Sequence, residues 1–346
     1  MKRYLRPIGI LAGSAARAAV EQGAALPLAG GPLAFSLVEI IERRRSGTRR
    51  HIAAAPSMRD ALAHHIEARP AIGPLSAEQP IVMGIINATP DSFSDGGIFL
   101  DADKAIAHGR AMLEAGAGII DIGGESTRPG AHAVSPAEEI ARIRPVIAGL
   151  RASADAVGAL ISVDTRNAET MRAALDAGAK MINDVSALTH DSAALSLLAK
   201  IEAPTVLMHA PGDPETMQSR AHYEDAALDV FDYLEARVAA CEGAGIGRQR
   251  LIADPGIGFG KTGNHNLQLL GQLSLFHGLG VNLMVGLSRK SFIGRLSTGE
   301  PPERRLPGSL AGAVMALGQG VRILRVHDVP ETMQALKFAK AVSASG

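Results

Sequence analysis

At 346 residues, 47% of them hydrophobic, the chain is long enough to bury a large core, and its formal net charge of zero removes any global argument for a nucleic-acid or membrane partner. Aromatics make up only 3% of the chain while glycine and alanine abound, which fits helices packed closely on a Val/Ile/Leu-rich sheet and not a disordered chain. The single cysteine, Cys241, excludes an internal disulfide and a CxxC zinc pair, and no apolar run approaches the roughly 20 residues of a membrane span.

Lys2 and Arg3 precede an apolar stretch, but Arg6, Pro7 and Arg17 interrupt the pattern of a cleaved signal, so the segment reads as mature protein and the cytoplasm as its compartment. Residues 1–75 carry an excess of roughly +6 formal charges, from residues such as Arg43, Arg44, Arg45, Arg49 and Arg50. The remainder of the chain is correspondingly acidic. The simplest reading of the excess is a solvated face; the alternative is a docking surface for an anionic ligand or partner. Phe35, Val38, Glu39 and Glu42 have helical spacing, and Ala55 to Ala68 also reads as helix. His64-His65 reads as surface. Pro70, Gly73 and Pro74 then punctuate the join to a second region, 76–346.

From Ile81 one rhythm takes over. Short apolar runs at Ile81–Ile85, Ile119–Ile122, Leu160–Val163, Met181–Asn183, Thr205–Met208, Leu251–Ala253, Asn282–Val285 and Ile323–Val326 read as buried strands. Between them lie helix-length segments: Lys104–Glu114, Pro136–Leu150, Ala168–Ala177, Ser192–Lys200, Tyr223–Cys241, Asn264–Leu275, a region around Leu310–Leu317, and Glu331–Ala341. Ser135-Pro136-Ala137-Glu138 has capping-box spacing with proline at the first helical position. Eight alternations predict an α/β protein: a closed (β/α)8 TIM barrel with a basic, partly helical N-terminal extension. An open doubly wound sheet suits eight units in about 265 residues less well.

The polar and glycine-rich clusters follow the strands. They are Asn87 to Gly97, Asp121 to Gly130, Asp164-Thr165-Arg166, Asn183-Asp184, Met208-His209, Asp254 to Lys261, Ser288 to Ser291, and Arg325 to Asp328. In a barrel these junctions share one face, where active sites are built. Taken singly each has a plain alternative: Asp164 or Thr165 as a helix cap, Asp254-Pro255 as a turn, Lys290 or Arg325 as a solvated charge. Their shared placement points to an enzyme. Gly260-Lys261-Thr262 is not a P-loop, because Pro255 occupies the required upstream glycine position, and Gly256, Gly258 and Gly260 do not make a dinucleotide fingerprint. There is no HExxH, clustered His/Cys set or GxSxG elbow.

The segments MGIINATPDSFSDGG from Met83, DIGGESTRPGA from Asp121, SVDTRNAE from Ser162, INDVSAL from Ile182, DPGIGFGKT from Asp254, VGLSRKSFIG from Val285 and RVHDV from Arg325 resemble the dihydropteroate synthase family, in order and over essentially all of 80–346. VLMHAPGDPETMQ, from Val206, is similar to the family's fifth junction but has Ala210 where methionine is frequent. The resemblance implies a transferase of folate biosynthesis. It would join 4-aminobenzoate to 6-hydroxymethyl-7,8-dihydropterin pyrophosphate, with Mg2+ bound through Asn87, and would form a homodimer. It assigns Asp254, Asn183, Asp164 and Lys290 to the pterin, and Arg325, His327 and Asn87 to the pyrophosphate. Thr127, Arg128 and Ser291 fall beside 4-aminobenzoate, and Asp164, Lys290 and Arg325 become the residues nearest the chemistry. The rival readings are a methyltetrahydrofolate:corrinoid methyltransferase-like barrel, which expels no pyrophosphate, and a non-catalytic pterin-binding barrel.

Overall fold

The computed structural model describes residues 1–45, 47–76, 79–88, 98–126, 134–213 and 216–345, with 98–101 described by backbone alone. The first part of the chain is partly helical, as expected, including the predicted helix over Ala55 to Ala68, which is 3-10 and then α to Ile66, but it is built around a sheet. Strand β1 (Lys2–Leu11) leads into helix α1 (Gly13–Glu21), followed by β2 (Leu26–Pro27), β3 (Ala34–Arg44), β4 (Gly47–Ala54), a 3-10 segment (Ala55–Leu62) and the short helix α2 (Ala63–Ile66). The helical spacing at Phe35–Arg43 was therefore misleading. Val38, Ile40 and Ile41 are β-branched and favour an extended backbone. Partners on both sides settle the matter: β3 pairs antiparallel with β1 along one edge and with β4 and β2 along the other. Leu26, Leu28, Phe35, Val38, Ile40, Ala55 and Leu62 form the core of this sheet layer.

The rest of the chain alternates strand and helix. It runs β5 (Ile81–Asn87), α3 (Ile98–Glu114), β6 (Ile119–Gly123), α4 (Pro136–Ala156), β7 (Leu160–Asp164), α5 (Ala168–Ala177), β8 (Met181–Asp184), α6 (Ser192–Leu198) and β9 (Thr205–Met208). It continues with α7 (Ala226–Gly243), β10 (Leu251–Asp254), α8 (Gly263–Leu270), β11 (Asn282–Gly286), α9 (Ser291–Arg295), α10 (Leu306–Leu317), β12 (Ile323–Val326) and α11 (Val329–Ser345). β5 to β12 pair in parallel with their sequence neighbours, and β12 closes on β5, giving a barrel. The Ser135 hydroxyl caps α4 by accepting from the Glu138 N–H. The expected helix over Asn264–Leu275 ends at Leu270, and a 3-10 segment (Leu273–Leu279) follows Gly271 and Gln272.

Strand periodicity divides the barrel interior into two levels. Ile81, Met83, Ile119, Leu160, Met181, Val206, Ile252, Met284 and Ile323 form one apolar cluster, with Ile72 and Leu75 of the preceding segment packed onto it. Side chains two residues further along a strand share its face. From Ile119, Leu160, Met181, Ile252 and Ile323, that step reaches Asp121, Ser162, Asn183, Asp254 and Arg325. The apolar plug is thus continued upward by a polar layer.

The sheet layer is fastened to the barrel's flank through charge. Lys2 reaches Asp232 and Glu235 of α7 at 2.6 and 2.5 Å, Arg43 reaches Asp229 at 2.6 Å and Glu224 at 3.0 Å, and Arg50 reaches Asp225 at 2.9 Å. Lys2, Arg43 and Arg50 thus face an acidic segment of the same chain, while Arg3, Arg17, Arg44, Arg45, Arg49 and Arg59 are exposed, as a solvated face would have them. Tyr4 packs edge-on against Phe231, with its hydroxyl donating to Asp232 at 2.8 Å. His65 is buried, contrary to the surface reading of the histidine pair, because its Nε2 meets the Leu5 carbonyl at 2.9 Å. Below it the Arg69 guanidinium donates to the His277 carbonyl, and Asn282 donates to the Pro70 carbonyl.

Candidate active site

The polar layer converges at the C-terminal ends of the strands. Arg325 on β12 is its hub: Nε donates to Asp121 Oδ2 at 2.7 Å and Nη2 donates to Asp164 Oδ2 at 2.8 Å. Asn183 donates to the same Asp121 oxygen at 2.9 Å. Four strands, β6, β7, β8 and β12, are thereby joined by one hydrogen-bonded lattice. Both aspartates are buried, and the second oxygen of each, Oδ1, has no hydrogen-bond partner among the described residues. Small residues at the strand ends leave room: an added Cβ at Gly123 would lie 3.6 Å from Asp164 Cβ, and one at Gly286 would lie 3.7 Å from Arg325 Cβ.

Burial and neighbouring charge divide these groups. Burial pushes the Asp164 carboxyl up to about 7, against the pull of Arg325 and with Asp121, Glu139 and Asp184 adding to the rise. Burial raises Asp254 as well, opposed by Lys290, by the Gly256 N–H that Oδ1 accepts at 2.7 Å, and by Lys261 and Arg325. Burial lowers Lys290 to about 7, with Asp254 opposing and Arg325 assisting. For Arg325 burial works against the cation, but Asp121 and Asp164 more than offset it, so its hold on the proton is strengthened. The site therefore combines a permanent cation, a carboxyl and a separate amine both shifted toward neutrality, and a buried carboxylate, Asp254, acting on that amine.

Lys290 stands between β11 and α9, and its side chain rests against the turn that follows β10: its ammonium donates to the Ile257 carbonyl and stands 4.4 Å from the centre of the Phe259 ring. Local backbone geometry presents it. Arg289, with φ of 57°, occupies the left-handed region uncommon for a side-chain-bearing residue. It is held there by Asp328, by the Ser309 hydroxyl accepting its N–H at 2.9 Å, and by Arg305 donating to its carbonyl at 3.0 Å. His327 joins the same corner, its backbone N–H donating to Ser288 Oγ at 3.2 Å and its Nδ1 lying 3.1 Å from that hydroxyl. Ser291 is exposed at the first residue of α9, and Asn87 is half-buried at the end of β5.

Asp164, Asn183, Asp254, Lys290, Arg325 and His327 thus surround one mouth, with Asn87 and Ser291 at strand and helix ends on its rim. Thr127 and Arg128 lie outside the described residues. Asp121 was quoted within its motif but given no role by sequence reasoning; the two-residue step from buried Ile119 was the signal that would have placed it beside Arg325. A second omission is the buried Arg166, which donates to both oxygens of Glu125, at 3.2 and 3.3 Å, and to Asp213 at 2.7 Å. It ties together the segments after β6, β7 and β9. Lys261, read as a false P-loop ending, is also buried and meets His209 Nδ1 at 2.9 Å. No group of three or more His, Cys, Asp or Glu side chains able to hold a metal occurs among the described residues.

The family model described as pterin binding enzyme matches residues 83–327. Dihydropteroate synthase of Escherichia coli K12 is 47% identical over 267 residues, which span 77% of this chain and 93% of that one. The Haemophilus influenzae dihydropteroate synthase is 46% identical over 269 residues, covering 78% and 96%. Among solved structures, Xanthomonas albilineans dihydropteroate synthase with 4-aminobenzoic acid superposes with a TM-score of 0.73 at 48% identity, covering 78% of this chain and 95% of that one. The same enzyme in complex with 7,8-dihydropteroate gives 0.70 at 45%, covering 78% and 96%.

Proposed function

The chain belongs to the pterin-binding enzyme family and to its dihydropteroate synthases, and from that premise we propose how its own side chains divide the work of the reaction. The enzyme joins 6-hydroxymethyl-7,8-dihydropterin pyrophosphate to 4-aminobenzoate, giving 7,8-dihydropteroate and pyrophosphate. The observation that carries the assignment of roles is the Arg325 lattice, a cation fixed by two buried carboxylates above an apolar plug.

Asp254 and Asn183 read the aminopyrimidinone edge of the pterin, whose N–H donors suit a buried carboxylate and an amide oxygen. Lys290 closes over the ring from the turn on which it rests. Arg325 spends two of its five N–H groups on Asp121 and Asp164; pyrophosphate oxygens take others, with His327 beside them. As the bond between the pterin methylene and the pyrophosphate oxygen breaks, its electron pair leaves with pyrophosphate. Asp164, whose ionisation lies near neutrality, supplies the negative charge that favours the cation left on the pterin. The amine nitrogen of 4-aminobenzoate then attacks that methylene carbon and loses a proton. No bond to the enzyme forms. Ser291, with Thr127 and Arg128, belongs to the 4-aminobenzoate side.

The residues fit Mg2+ as a partner of the pyrophosphate. Asn87 offers one hard oxygen at the mouth, and the described residues build no all-protein cage, which suits an ion that takes most of its ligands from phosphate and water. Bound there, the ion would offset pyrophosphate charge. Homodimer formation in the cytoplasm completes the proposal. Its support is α10, apolar along its length yet burying only Ser309, Ala313 and Ala316, beside α11, where Phe338 is 71% exposed.

The test is release of pyrophosphate from the dihydropterin pyrophosphate, with and without 4-aminobenzoate and with and without Mg2+. Release that needs both, with equimolar dihydropteroate, is the expected result. Pterin binding without turnover would refute it and return the corrinoid-type and non-catalytic readings. Release equal with and without Mg2+ would remove the metal alone.

A further inference from the structure

We propose that Lys261 is a positioning residue for the pterin side of the site: sealed from solvent, it ties the end of β9 to the turn after β10 and thereby sets where Phe259 and Lys290 stand. The proposal rests on the reading that Lys290 contacts the pterin.

Lysine is almost never fully buried unless its hydrogens are satisfied, and Lys261 is only 1% exposed. Its Nζ lies within hydrogen-bond reach of three partners: His209 Nδ1 at 2.9 Å, the His209 carbonyl at 3.2 Å and the Phe259 carbonyl at 3.0 Å. His209 is itself buried and packs edge-on against Tyr233, with ring centres 4.8 Å apart. Burial, with Lys261 beside it, holds that imidazole neutral, so Nδ1 is free to accept. Burial pulls the Lys261 ammonium well below the usual lysine range, with Asp254 opposing and Lys290 assisting.

The turn that Lys261 grips has little room to move. Gly256, Gly258 and Gly260 all have positive φ, and each faces a close neighbour. A Cβ at Gly256 would fall 2.0 Å from the His209 carbonyl, one at Gly258 would fall 2.8 Å from Lys290 Cδ, and one at Gly260 would fall 2.3 Å from Pro211 Cγ. Asn266 Oδ1 accepts the Gly258 N–H at 2.7 Å, and the Tyr223 hydroxyl donates to the Gly260 carbonyl at 2.9 Å. Lys290 rests on the other side of this turn, on the Ile257 carbonyl and the Phe259 ring. The glycine spacing that resembles a nucleotide fingerprint is therefore a close-packed partition. Lys261 anchors it from behind, and Lys290 uses it from the front.

Lys261→Met keeps the length of the side chain and removes its donors. Steady-state kinetics for both substrates, together with calorimetric binding of free 6-hydroxymethylpterin, should show the pterin constants weakened about tenfold, since small misplacements of positioned groups are costly. The KM for 4-aminobenzoate should stay within about twofold, because that side does not rest on this turn. His209→Phe, which keeps the ring and removes the Nδ1 acceptor, should give an intermediate loss. A Lys261→Met enzyme with wild-type pterin constants and only a lower melting temperature would overturn the proposal. Should that variant not fold, His209→Phe decides: wild-type pterin constants overturn the proposal and a selective rise in them supports it. A wild-type enzyme that forms no dihydropteroate refutes the functional reading instead, a different result from an active wild type beside an unaffected Lys261→Met.

Discussion

Asp121→Asn isolates the part that guanidinium anchoring plays in turnover. The substitution keeps the shape of the side chain but turns a carboxylate acceptor into a neutral one. Two donors use the same oxygen, Arg325 Nε at 2.7 Å and Asn183 Nδ2 at 2.9 Å. A hydrogen bond to a charged group contributes about 1.5–3 kcal/mol and a neutral one about 0.5–1.5, so each loses roughly 1 kcal/mol or slightly more. Because the Arg325 side chain is 17% exposed, solvent screens part of the difference, and about 2 kcal/mol in total is the reasonable figure. That corresponds to roughly 30-fold in kcat/KM for the dihydropterin pyrophosphate. The KM for 4-aminobenzoate should move little. The decisive assay is a cycle with Arg325→Ala. If Asp121 acts through Arg325, about half of its cost, the share not carried by Asn183, vanishes in the Arg325→Ala background. Fully additive losses would show that Asp121 merely supports the fold, and the lattice argument would fail.

Arg325→Ala on its own should weaken the pyrophosphate-bearing substrate about 100-fold while free hydroxymethylpterin binds within a few-fold of wild type, measured by calorimetry; equal losses would contradict the phosphate role. Asp254→Ala should reduce binding of free hydroxymethylpterin by at least about 100-fold, because the edge-reading carboxylate is gone, and retained binding would refute that role. The pH dependence of apoenzyme stability follows from two shifts of opposite kind. The raised Asp164 value makes its contribution fade as pH climbs from the ordinary carboxylate range to about 7, and the lowered Lys290 value makes its contribution return between about 7 and the ordinary lysine range. Relative to wild type, Asp164→Asn should therefore gain on the order of a few kcal/mol of stability as pH climbs from the carboxylate range to about 7, and Lys290→Met should lose as much between about 7 and the lysine range, in denaturant titrations; differences that do not change with pH would refute the shifts. A chain beginning at 76 should melt about 5–10 °C lower, having lost the cover over Leu273–Leu279 and the Ile72 contact, yet keep its kcat within about threefold where folded. A folded but inactive product would show that the extension takes part in the chemistry.

The barrel was legible because its signals are local. A parallel strand buried on both faces is a continuous apolar run such as Leu160–Val163, and the residue where apolar gives way to polar, Asp164, marks the strand's chemical end. The extension was not legible in the same way. Phe35 and Val38 are spaced for a helix face, yet Val38 pairs with Pro7 on one side and Ala53 on the other, and no local window contains both. His64 is exposed as expected, but the reading of His65 failed for a related reason: what meets its ring is the Leu5 carbonyl, 60 residues earlier in the chain.

Asp121 shows why motif reading found the loops better than the lattice beneath them. A motif assigns a polar residue to whatever ligand its loop is thought to meet. The Asp121 carboxylate instead meets Arg325 and Asn183, each supplied by a different strand, at a position fixed only once the barrel closes. Alternation within β6 already aimed it inward with Ile119, and β12 aims Arg325 inward with Ile323 by the same rule. Pairing an inward acid on one strand with an inward base on another needs only the phase of each strand and the knowledge that the barrel is closed. That inference reaches residues whose partner is another side chain of the protein, as the Lys261–His209 pair also is, and these are the residues a substrate-centred reading leaves out.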